Sequence, residues 1–78
     1  MHENDYKSAF GQHIRKVRER KGITQFELAS LMNINAQNIS SYERGERCPS
    51  IFWVHRLCEA LNIDITNFIE EFYSNNKK

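Results

Sequence analysis

Seventy-eight residues, 40% of them apolar with nine aromatics, suffice for one small domain with a single core, short of what an enzyme usually needs to enclose a substrate. The net charge of +1 averages an uneven chain: HIRKVRERK (13–21) carries five Lys or Arg against one Glu, while the last 28 residues carry three bases against four acids. Local basic charge of this kind, rather than the net figure, suits a surface to nucleic acid.

No apolar run approaches the roughly 20 residues that span a bilayer. MHENDYKSAF has neither the basic start nor the apolar block of a signal peptide, so a cytoplasmic protein with no membrane partner is expected. Cys48 and Cys58 stand ten residues apart with no CxxC and no His pair at ligand spacing; they read as free thiols, with no metal and no cofactor. The three His (2, 13 and 55) and ten acids are scattered without a nucleophile and base in company, which argues against an enzyme.

Tyr6, Phe10, Ile14 and Val17 recur at helical spacing and predict a first helix from about Lys7 to Lys21, ended by Gly22. Thr24-Gln25-Phe26-Glu27 is a capping box that starts a second helix at Gln25, burying Leu28, Ala29 and Met32 and stopping at Asn33. Asn35 as N-cap and Gly45 after the C-terminus bracket a third helix in an otherwise loop-like stretch, NINAQNISSYERG. Its inner side is Ile39, Tyr42 and Glu43; Gln37, Ser40, Ser41 and Arg44 lie opposite, short hydrogen-bonding groups in place of the usual Lys and Glu.

Pro49-Ser50 introduces a fourth helix, about Ile51 to Leu61, with Ile51, Val54, Leu57, Cys58 and Leu61 inward. Asp64 caps a fifth, carrying Ile65, Phe68, Ile69, Phe72 and Tyr73. Nothing alternates with period two long enough for a strand, so the fold class is all-α: one five-helix domain over 1–78, core about 7–73, with 1–5 and 74–78 frayed.

Two short helices joined by Asn33-Ile34-Asn35 have the layout of a helix-turn-helix, whose second helix lies in a DNA major groove. ITQFELASLMNINAQNISSYERGERCPS resembles the helix-turn-helix family of phage repressors, Cro proteins and XRE-type bacterial regulators. The resemblance spans about residues 10–69 and rests on an ordered set: Arg18, Gly22, Gln25 with Glu27, Leu28-Ala29, Ile39, Glu43 followed by Gly45, Pro49 and Leu61. It implies a compact bundle of the lambda-repressor-like type, a Gln25 amide that contacts both a phosphate and the recognition helix, and a partly buried Arg18–Glu43 ion pair tying the first helix to the third. The pair is also reasonable alone, because Glu43 sits beside Ile39 on the inner side and needs a partner if buried.

Base reading falls first to Gln37, whose amide can pair bidentately with adenine, with Ser40 and Ser41 adaptable to several edges. Ala36 either touches a thymine methyl or does nothing, and for Asn38 a reading role and plain solvation both stay open. Arg44 and Arg47, with Thr24 and Asn35 near helix N-termini, suit phosphates on the flanks of the groove. Arg15, Lys16 and Arg20 add long-range attraction.

Two aromatics depart from the family pattern: Phe52 and Trp53 stand outside the inner stripe of the fourth helix, and exposed aromatics on a small protein suggest a contact surface. With the fifth helix (Phe68, Phe72, Tyr73) they are expected to form a homodimer that places two recognition helices on half-sites about 34 Å apart. Phe26, apolar where the family is commonly charged, is expected to pack on the first helix. The leading function is a sequence-specific double-stranded DNA-binding transcriptional regulator, a repressor that occupies a near-palindromic operator. The alternatives are an antitoxin that represses its own operon and masks a toxin, and a protein-interaction module without DNA binding.

Overall fold

The ends of the helices are where this chain's local chemistry is most legible. The computed structural model describes residues 2–76, in which α1 (Glu3–Arg20), α2 (Gln25–Met32), α3 (Ala36–Glu43), α4 (Ile51–Leu61) and α5 (Ile65–Asn75) follow one another with no strand among the described residues. Thr24 accepts from the Glu27 amide at 3.0 Å while the Glu27 carboxylate accepts from the Thr24 amide at 2.8 Å, so both halves of the capping box are made. Asn35, Ser50 and Asp64 cap α3, α4 and α5 through their side chains.

At their far ends α1 to α4 turn through a left-handed residue: Gly22, Asn33, Gly45 and Asn62. Each then closes with the amide of the next residue reaching back into the last turn, as in Glu46 N–H to the Ser41 carbonyl at 3.0 Å. These turns are what make the connections short enough for neighbouring helices to pack.

Two of the expected boundaries need correction. α1 begins at Glu3 rather than Lys7, with Glu3 and Asp5 favouring the positive end of the helix dipole. α5 likewise runs on to Asn75, past the expected core limit of 73; Met1, Lys77 and Lys78 lie outside the described residues.

One core joins all five helices: Phe10, Ile14 and Val17 of α1, Leu28 and Met32 of α2, Ile39 and Tyr42 of α3, Val54, Leu57 and Leu61 of α4, Phe68 and Phe72 of α5. Ile51 is not part of it. It is the first residue of α4 and 69% exposed; the buried residues of that helix begin one turn later, at Val54. Phe26 departs similarly: it is 73% exposed on α2 rather than packed on α1.

α3 is held against α1 and α2. Gly11 makes the first contact possible: a Cβ there would stand 2.4 Å from the Tyr42 carbonyl oxygen and 2.6 Å from that of Glu43. The backbone of α3 therefore seats directly on α1, with no side chain between them. No helix among the described residues is long and apolar enough to cross a membrane.

Candidate nucleic-acid interface

The inward side of α3 is fixed by an ion pair inside a hydrogen-bond network. Arg18 Nε donates to Glu43 Oε2 at 2.6 Å, Nη2 to Oε1 at 3.1 Å, and Nη1 to the Ile23 carbonyl at 2.8 Å. Gln25 Nε2 adds a further bond to Glu43 Oε1 at 2.9 Å. Both charged residues are buried, and the Glu43 carboxylate raises the Arg18 pKa further above its ordinary value. A guanidinium and a carboxylate engaged this fully have few unmet polar atoms, which is the condition for tolerating two buried charges. α1 and α2 thereby meet at Glu43, through Arg18 and Gln25, and Arg18 in turn ties in the loop before α2 through the Ile23 carbonyl.

Tyr42 supplies a second anchor. Its ring stacks on Trp53 of α4 with centroids 3.9 Å apart, and the Arg47 guanidinium lies 5.1 Å from the centroid of the same ring. Trp53 is half-buried in this stack, which accounts for its place outside the inner stripe.

With Ile39, Tyr42 and Glu43 turned inward, α3 presents Gln37 and Arg44 to solvent, flanked by the half-buried Ala36, Asn38, Ser40 and Ser41. The expected base-reading residues thus occupy the part of α3 that Ile39, Tyr42 and Glu43 leave free, with Gln37 the most open of them. Among the expected phosphate residues, Thr24 and Asn35 stand at the N-termini of α2 and α3, where their side-chain oxygens are spent on capping. Gln25 already holds Glu43, so it touches the recognition helix rather than facing water. Arg44 bonds Ser40 and pairs with Glu46 at 2.8 Å, and Arg47 Nη1 donates to Asn38 Oδ1 at 3.0 Å.

The expected dimer surface is corrected at two positions. Phe68 is 2% and Phe72 0% exposed, both in ring contact with Phe10 and His13, so they fill the core instead of facing a partner. Phe52, 70% exposed, and Tyr73 remain at the surface, with Tyr73 in hydroxyl contact with Tyr6 at 3.1 Å. Exposed Ile51 and half-buried Ile65 and Ile69 line one shallow apolar hollow between α4 and α5.

Residues to which sequence reasoning gave no structural role, Arg20 being expected to add only long-range attraction, hold the scaffold of the site. His13 is buried with Nε2 3.0 Å from the Phe68 carbonyl, and burial lowers its pKa below the ordinary 6.5. Its position three residues after Phe10 and four before Val17 placed it on the apolar stripe. Arg20 grips Glu71 of α5 through two bonds, Nη2 to Oε1 at 2.9 Å, and this pairing lowers the carboxyl's pKa. Arg56 donates to the Met32 carbonyl at the end of α2. These last two pairings span 51 and 24 residues, and nothing local announces them.

The helix-turn-helix family profile matches residues 14–68, which spans α2, α3 and the network that holds them. The chain belongs to the helix-turn-helix family. An HTH-type transcriptional regulator of Sinorhizobium fredii is 32% identical over 59 residues, 76% of this chain and 77% of that one. The restriction-modification controller protein C.AhdI of Aeromonas hydrophila superposes with a TM-score of 0.81 at 29% identity, covering 87% of this chain and 99% of that one. The antitoxin PezA of Streptococcus pneumoniae is 26% identical over 61 residues; the match takes 78% of this chain but 39% of the antitoxin. The helix-turn-helix identified here is therefore that of DNA-binding transcription regulators of the XRE type, not of an enzyme family.

Proposed function

We propose that this chain is a sequence-specific double-stranded DNA-binding repressor, acting as a homodimer on a near-palindromic operator through the major groove. The observation that carries the reading is the division of α3: Ile39, Tyr42 and Glu43 are locked to three other elements, while Gln37 and its short polar neighbours are left on the other side of the helix. Rigid anchoring behind and hydrogen-bonding groups in front are what direct readout requires, because a base edge is distinguished only by donors and acceptors held in place.

Gln37 is the principal reader, through the bidentate amide pairing with adenine; Ser40 and Ser41 supply adaptable contacts and Ala36 a methyl-sized one. Thr24, Gln25, Asn35 and Arg44 flank the groove, Arg44 releasing Glu46 to meet a phosphate. The homodimer uses the outer side of α4 and α5, where Ile51, Ile65 and Ile69 line one hollow, with exposed Phe52 on α4, in place of the buried Phe68 and Phe72.

Selection of bound DNA from a random pool tests this directly, followed by affinity measured against salt. A near-palindrome is expected, with affinity falling steeply as salt rises. Recovery of random sequence would refute it. The second reading, a regulator that also binds a toxin, is favoured by the antitoxin relative alone; stable co-purification with the product of an adjacent gene is its test.

A further inference from the structure

Asn38 follows Gln37 on α3, half-buried at the margin of the outward face, with its amide already bonded. Arg47 Nη1 donates to Asn38 Oδ1 at 3.0 Å. A guanidinium has donors and no acceptor, so the amide must turn its oxygen toward Arg47 and its NH2 away. Arg47 is itself restrained: its guanidinium lies 5.1 Å from the Tyr42 ring centroid, and Tyr42 is sandwiched by Trp53, 3.9 Å away on α4. The contacts Trp53, Tyr42, Arg47, Asn38 run from α4 through the buried Tyr42 ring back to the surface of the recognition helix, and the polarity of the last member is set by the one before it.

We infer that Arg47 is a positioning residue for base choice rather than a phosphate contact: it holds the Asn38 amide with the donor end outward. This rests on the DNA-binding reading above and adds the chemistry of one base position to it. An outward NH2 suits a major-groove edge offering only acceptors, guanine through N7 and O6 or thymine through O4. Cytosine presents a donor there and is disfavoured. Adenine is disfavoured because its bidentate pairing needs the amide oxygen outward, and that oxygen is held by Arg47. Among the described residues Gln37 carries no such partner and keeps the adenine pairing, so the two adjacent amides read opposite patterns.

The experiment is selection of bound DNA by wild type, Asn38→Ala, Arg47→Ala, Arg47→Lys and Asn38→Asp, each first shown to melt as wild type does. Asn38→Ala identifies the base pair concerned. Wild type is expected to take guanine or thymine there. Arg47→Ala frees the amide to rotate, and adenine should rise about tenfold at that pair with the rest of the site unchanged. Arg47→Lys keeps a partner that only donates and should retain the wild-type choice, whereas Asn38→Asp, now acceptor only, should move it to cytosine. Uniform weakening by Arg47→Ala with unchanged base choice would overturn the inference, as would adenine or cytosine in the wild-type site. A wild-type pool with no enriched sequence would instead overturn the DNA-binding reading, and this inference with it.

Discussion

Glu43→Ala removes the point at which α1, α2 and α3 are joined. Four hydrogen bonds converge on Arg18 and Glu43, and the substitution deletes three: those from Arg18 Nε, Arg18 Nη2 and Gln25 Nε2. Only the Ile23 carbonyl still accepts from Arg18, whose charge is left buried. Breaking a buried pair from one side costs about 3–5 kcal/mol. A domain of this length is stable by roughly 4–12 kcal/mol in total, at 0.05–0.15 kcal/mol per residue. The loss is therefore a large share of the whole, and at about 4–8 °C per kcal/mol the melting temperature should fall by about 12 °C or more. Thermal unfolding followed by circular dichroism measures it. The double change Arg18→Met with Glu43→Leu should recover most of the loss, because replacing both charges leaves no charge stranded, only the neutral Gln25 amide and Ile23 carbonyl without their partners. A Glu43→Ala protein melting within about 4 °C of wild type would refute the reasoning, and so would a double variant no more stable than the single one.

Gly11→Ala should destabilise by about 1–3 kcal/mol in urea unfolding despite alanine's better helix propensity, because the new methyl meets the Tyr42 and Glu43 carbonyls; a more stable variant would contradict the close packing of α1 on α3. His13 is held below its ordinary pKa of 6.5, chiefly by burial, with the hydrogen bond to the Phe68 carbonyl and then Glu71 opposing the shift and Arg20 and Lys16 adding to it. Its neutral form is thus favoured by folding, so this contribution to stability is complete above pH 6.5 and declines as the pH falls below that value. Unfolding free energy should drop between pH 7.5 and 5.5 in wild type and less in His13→Gln, and parallel curves would remove His13 as the cause. The Cys58 thiol is pushed up to about 11 by burial, with Asp64 adding to it, whereas Cys48 is exposed. A thiol reagent at pH 8 should modify Cys48 alone in the native protein and both after unfolding; native labelling of Cys58 would show that α4 opens.

How much of this was readable beforehand follows the range of the interactions. Thr24 with Glu27, Asn35 and Gly45 are local signals, acting within three or four residues, and each stands in the structure as the chemistry of caps requires. Glu43 was readable because helical periodicity placed a charge on an apolar side, and a buried carboxylate demands a partner. Phe68 and Phe72 were misjudged for the converse reason. Periodicity shows that a residue lies on an apolar side but not whether the chain itself covers it, and here α1 does so through Phe10 and His13. Phe26 and Ile51 erred the other way, apolar residues with no element opposite them. The Arg47 to Asn38 bond crosses a loop whose path no local rule specifies, so the sequence left Asn38 open between reading and solvation, and Arg47 as a phosphate contact.

The central claim is that the outward face of α3 reads base edges. Gln37→Ala tests it most directly: Gln37 is exposed, takes no part in the Glu43 network, and its loss should leave the melting temperature unchanged. In DNA selected side by side, the variant is predicted to lose preference at one base pair in each half-site, by about 1–3 kcal/mol of discrimination, with the other positions intact. An identical selected sequence for wild type and variant would contradict the account.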